Sequence, residues 1–99
     1  MPKRTDGNQI EIVDSLRRVG LTVAITSNVG TGFPDLVVVG GRISCPHCAA
    51  KFPQNKLVEI KTAAGLLTPD QEEFHQIWRG QLDVVRTIDD ALRIAGIVQ

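Results

Sequence analysis

Neither sign of charge predominates in this 99-residue chain, in which 11 Lys and Arg face 11 Asp and Glu. The absence of an excess excludes a global field that would draw in nucleic acid, so any such binding must rest on a local patch or on bound cations. Long hydrophobic runs are missing too. No stretch approaches the roughly 20 apolar residues needed to cross a bilayer, and the opening MPKRTDG carries no signal-peptide pattern, so no membrane partner is expected. Cysteine is scarce: Cys45 and Cys48 alone, spaced as CxxC, suggest metal or redox chemistry in a reducing compartment rather than a disulfide scaffold. Internal repeats, low-complexity tracts and interdomain linkers are likewise lacking. The reading is a soluble, cytoplasmic protein forming one domain over residues 1–99.

What is present has a clear order. Ile12, Val13, Leu16 and Val19 recur at helical spacing, with Asn8 or Asp6 to cap the start and Gly20 to stop it. LTVAIT (21–26) reads as a strand, followed by the Gly-rich loop SNVGTG; residues 36–40 and 57–61 read as two more. Between these lies a turn-rich excursion containing CPHC, at about 42–56, too long for a tight hairpin. Thr68-Pro69-Asp70-Gln71 marks a helix start with a capping residue, a first-turn proline and a glutamine placed for a capping box. That helix is expected to bury Phe74, Ile77 and Trp78 and to stop at Gly80. A strand (82–87) and a helix (88–96) close the chain. The order α-β-β-β-α-β-α predicts an α/β domain whose sheet is mixed.

The chemistry gathers at GFPDLVVV (32–39) and KLVEIK (56–61). Asp35 opens one apolar strand, where a carboxylate is costly to desolvate without a partner. Glu59 and Lys61 lie two apart in another strand, hence on one face. Converging carboxylates repel unless a cation neutralises them, and Mg²⁺ does so through one or two carboxylates, waters and substrate phosphate. A nearby lysine then steadies charge on the phosphate under attack. Glu11, beside the apolar stripe of the first helix, can lean toward the same ion, although Asn8-Gln9-Ile10-Glu11 is also a capping-box pattern. Gln71 is explained equally by its capping box. His75 and Trp78 sit three apart on one helix face, as a marginal residue and a core residue, with a general-base role for His75 a further reading. Asn28 and Thr31 lie in the loop before Asp35, where they can meet phosphate or remain silent.

Together GNQIEIVDSLRRVG, GFPDLVVVG, LVEIKT, LTPDQEEFHQIWRG and VVRTIDDAL resemble the small stand-alone VRR-NUC domains of the PD-(D/E)XK nuclease superfamily, many of them phage-encoded. The resemblance spans nearly the whole chain apart from the CPHC excursion. It implies a restriction-endonuclease-like αβββαβ core with a C-terminal helix, and a Mg²⁺- or Mn²⁺-dependent endonuclease acting on DNA in a phage-infected or prophage-bearing bacterial cell. Asp35, Glu59, the carbonyl of Ile60 and Glu11 are then the implied metal ligands, Lys61 the catalytic lysine, and Gln71 the motif glutamine near the scissile phosphate. Stand-alone members include homodimers that act on four-way junctions, which implies a branched-DNA substrate and a homodimer here. Lys3, Arg4, Arg17 and Arg18 are available for phosphate contacts, with Lys51 and Lys56 along a longer rim. For the CPHC segment three states stay open. Zn²⁺ can be completed by His47, by His75 or by the same pair of another subunit; the loop can be reduced and metal-free; or the cysteines can form a disulfide, the weakest of the three in a reducing setting.

Overall fold

The computed structural model describes residues 8–96, and at 41–43, 52 and 53 the backbone alone. Three helices and four strands follow the expected order: α1 (Gln9–Arg18), β1 (Thr22–Ile25), β2 (Leu36–Ser44), β3 (Lys51–Ile60), α2 (Pro69–Ile77), β4 (Leu82–Val85) and α3 (Ile88–Ile94). The strands form one sheet in the order β1-β2-β3-β4. The first three are antiparallel neighbours, and β4 runs parallel to β3 because α2 carries the chain back across the sheet. The domain is thus a small α/β fold with a mixed sheet.

Strand alternation assigns the two faces. Val23, Leu36, Val38, Val58, Ile60 and Val85 are buried together with Ile12, Val13 and Leu16 of α1 and Ala91 of α3, so the two terminal helices cover one face and make the apolar core. Asp35 and Glu59 alternate with these residues and belong to the opposite face, over which α2 lies. Val19, expected in the stripe of α1, is instead the exposed C-cap residue, turned out as Gly20 takes a φ of +98°.

Two glycines fix close approaches. Gly40 sits at φ +133°, where the β2–β3 register slips between Val39 and Gly41, and a Cβ there would fall 2.5 Å from Leu21 Cδ2. Gly32, at φ +82°, brings the β1–β2 loop against the start of α2, where a Cβ would fall 2.3 Å from the Asp70 carbonyl oxygen.

Three expectations need correction. The segment 42–56 is no separate excursion: β2 runs on to Ser44 and β3 starts at Lys51, so CPHC is the tip of one long hairpin. The bulge at Gly40 and Pro53 interrupt the alternation that would have marked these strand halves. Second, α2 ends at Ile77, three residues before Gly80, and its buried residue is Gln71; Ile77 is 68% and Trp78 41% exposed. Trp78 packs on Phe74, and Phe74 on Phe33, as a partly covered aromatic row. Third, the side chain of Asn8 forms no cap on α1. Its Nδ2 donates instead to the carbonyls of Lys61 and Arg86, tying the helix start to the ends of β3 and β4.

Candidate functional site

Asp35 immediately precedes β2. It is held there because Thr26 N–H donates to its carbonyl at 2.7 Å and the Thr26 hydroxyl donates to that of Pro34 at 2.9 Å. Extending the Leu36↔Val58 pairing by one step sets Asp35 opposite Glu59 on the neighbouring strand. The side chain of Asp35 accepts from the Ile60 amide at 2.8 Å. Both acids are buried, Glu59 completely. Two carboxylates on adjacent strands of one face, taken out of water, form an arrangement that a hydrophobic core alone would not favour.

α2 supplies the cover. Thr68 and Gln71 close a full capping box: the Gln71 amide donates to the Thr68 hydroxyl at 3.2 Å, and Gln71 Oε1 accepts from the Thr68 amide at 2.9 Å. The other end of the same side chain, Nε2, donates to Glu59 Oε2 at 3.3 Å. Capping and site contact, separate readings in the sequence, are therefore both made by the single buried side chain of Gln71. One turn on, His75 Nε2 lies 3.8 Å from Glu59 Oε1, beyond hydrogen-bond length. Burial, and after it the charge of Lys61, hold His75 below its ordinary value, so it is a neutral imidazole at pH 7. Its buried Nε2 has no hydrogen-bond partner among the described residues. Lys61, half-buried just past the end of β3, keeps its backbone paired through its amide to the Val85 carbonyl. Arg86 fixes the loop that follows by donating to the carbonyls of Thr62 and Gly65 at 2.6 and 2.7 Å.

The structure thus brings Asp35, Glu59 and Gln71 together, and Ile60 meets Asp35 through its amide. His75, read in the sequence as a marginal residue with a general-base role as a further reading, joins them: it follows Gln71 by four residues on the same helix and lies beside Glu59. Glu11 does not join. It is exposed and lines a surface cleft with Asn8, Arg86 and Asp89. Among the described residues no three His, Cys, Asp or Glu side chains gather closely enough to hold a metal ion. A cation at this face would therefore rest on the two acids, with water and phosphate completing its shell, as Mg²⁺ commonly does.

Peripheral residues are sorted as plainly. Asn28 and Thr31 are exposed, Thr31 in a strained turn at φ +54°. Lys56 is engaged by Asp83 at 2.6 Å, and Arg17 donates to the Val23 carbonyl at 3.0 Å, while Arg18 is exposed near the end of α1. Lys3 and Arg4 lie outside the described residues. At the hairpin tip both cysteines are free thiols. Backbone amides of His47 and then Cys48 point at the Cys45 sulfur and hold its thiol below the ordinary range. No helix among the described residues is long and apolar enough to cross a membrane. Comparison with protein families, with characterised proteins and with solved structures finds no match for this chain.

Proposed function

We propose that this chain is a divalent-metal-dependent endonuclease of the VRR-NUC kind, hydrolysing phosphodiester bonds in DNA. The observation that carries the reading is the buried Asp35–Glu59 pair on facing strands, with Gln71 Nε2 on Glu59. Two buried acids on one face are the oxygen donors that a hard cation takes, with water and phosphate left to complete its shell. Asp35, Glu59 and the Ile60 carbonyl would hold Mg²⁺ or Mn²⁺, which when bound supplies charge neutralisation and polarisation of the phosphate.

The chain's own groups do the rest. The Ile60 amide and Gln71 Nε2 each fix one carboxylate in a single orientation, so neither acid reorganises when substrate arrives. Lys61 places a positive charge beside the phosphate that those acids address. Neutral His75 can accept a proton or donate a hydrogen bond at Nε2. With a net charge of zero, affinity for DNA comes from this local set and not from a global field. A branched substrate and action as a homodimer complete the proposal, matching two-fold DNA junctions with a two-fold protein.

Cleavage of labelled duplex, flap and four-way-junction DNA with Mg²⁺, Mn²⁺ or EDTA tests the reading. Metal-dependent nicking is expected, falling about 10²–10³-fold in Lys61→Ala, the range for loss of one stabiliser of transition-state charge. Binding without cleavage by the intact protein would leave a silent nucleic-acid-binding module instead.

A further inference from the structure

The tip of the β2–β3 hairpin plays no part in the site above, yet it projects from the sheet. β1 flanks β2 only along Leu36–Val39, and β4 flanks β3 only along Leu57–Ile60. Beyond them the pairs from Gly41↔Gln54 to Ser44↔Lys51 form a two-stranded ribbon with no neighbouring strand among the described residues. Such a ribbon alone is marginal in water. It ends in Cys45-Pro46-His47-Cys48-Ala49-Ala50, closed by Cys45 N–H to the Ala50 carbonyl at 2.8 Å and Ala49 N–H to the Cys45 carbonyl at 2.9 Å.

The backbone amides of His47 and then Cys48, and the Cys48 thiol, hold the Cys45 thiol below its ordinary range. Ala49 takes φ +60°, a left-handed conformation that alanine adopts at a cost. A left-handed alanine thus closes a turn that carries both cysteines. Cys48 is exposed and Cys45 half-buried, so both are reachable from outside. Two cysteines with two residues between them are half the donor set of a zinc knuckle, which needs four ligands in a tetrahedron. One chain supplies half. Neither His47 nor any other described His, Cys, Asp or Glu joins the two sulfurs as a third ligand.

We propose that the hairpin tip is a zinc half-site, closed by Cys45 and Cys48 of a second copy of this chain into one four-thiolate centre on a two-fold axis. Each thiol gives up its proton on binding, so the centre carries four thiolates and one Zn²⁺. The projecting, unflanked ribbon lets two tips meet without the bodies of the domains competing for the space. A two-fold contact also makes the two chains contribute equivalent ligands, as an isologous interface requires.

The full chain, reduced and stripped with EDTA, is titrated with zinc chloride and followed by size-exclusion light scattering with metal analysis of the eluted protein. A doubling of mass at one zinc per two chains is expected, reversed by EDTA. Co²⁺ in place of zinc should give the intense visible absorption of a tetrahedral all-thiolate site. Cys48→Ser and Cys45→Ser should lose both the metal and the dimer while keeping the circular dichroism of the parent, since neither residue belongs to the core. One zinc on each monomer, a dimer indifferent to EDTA, or no metal bound by the reduced protein would each overturn the proposal. The cobalt spectrum and stoichiometry are read on the unaltered chain, so they decide the matter even where a variant misfolds.

Discussion

Alternate residues of β2 and β3 enter opposite worlds. Leu36, Val38, Val58 and Ile60 face α1 and α3 in a wholly apolar core, whereas Asp35 and Glu59, interleaved with them, face α2 and its amide and imidazole groups. Glu59 is nevertheless as buried as the valine and isoleucine beside it. The core face gains free energy from every ångström of burial, at roughly 25 cal/mol per Å². The α2 face loses it, because desolvating carboxylates costs more than their hydrogen bonds return. A one-residue slip in register would exchange the two sets, so the apolar face also holds the acids in place. Stability lives on one side of the sheet and the proposed chemistry on the other.

Substitution can separate the two sides. Leu36→Ala should cost about 2–5 kcal/mol in urea unfolding, the range for a buried leucine whose cavity closes only in part. Glu59→Gln, on the next strand but the other face, should change stability by no more than about 1 kcal/mol, because an isosteric amide removes a buried charge while keeping an acceptor for Gln71. Its Mg²⁺-dependent cleavage should nevertheless be lost. Equal stability losses for the two variants would erase the distinction between the faces.

Gly32→Ala probes the joint between the loop and α2. The collision with the Asp70 carbonyl and the left-handed φ together predict a loss of about 1–3 kcal/mol, seen as a lowered Tm, and a displaced Gln71 amide resonance. Within α2, Thr68→Ala removes the cap alone and should cost about 0.5–2 kcal/mol with cleavage retained. Gln71→Glu keeps the acceptor of the capping box but turns a carboxylate toward Glu59, so cleavage and metal response should fall while the helix persists. Loss of cleavage in Thr68→Ala to the same extent would make Gln71 a helix cap and nothing more.

The smallest effect concerns His75. Its folded-state value lies below the unfolded one of about 6.5, so between the two the unfolded chain binds more protons. The stability it contributes is present above that unfolded value and is lost as pH falls toward the folded one. Nitrogen-15 NMR titration should find the ring titrating below its free-peptide pH, and His75→Gln should flatten that part of the stability profile.

Local signals explain what the sequence could reveal. The four-residue apolar spacing of α1 and the Thr68 cap of α2 depend on near neighbours, and both the α1 stripe and the α2 start formed as expected. The alternation of each strand foretold that Asp35 and Glu59 share a face, since alternation is a property of the strand itself. Contacts decided across the fold were not legible. Asn8 spends its amide on the ends of β3 and β4 rather than on its own helix, which no window around residue 8 can anticipate. Trp78 stays partly exposed because α2 ends just before it and Phe74 covers only one of its sides. The hairpin ribbon was hidden by the bulge at Gly40 and by Gly41 and Pro53, which read as loop yet sit within a paired register.

The central claim is that Asp35 and Glu59 address one hard cation between them. Isothermal titration of the intact chain with Mn²⁺, repeated on Asp35→Asn and on Glu59→Gln, tests it with no DNA present. A single carboxylate-dependent site in the parent, abolished by either substitution alone, is the predicted result. Manganese binding that survives both substitutions unchanged, or no binding by the parent at all, would contradict it.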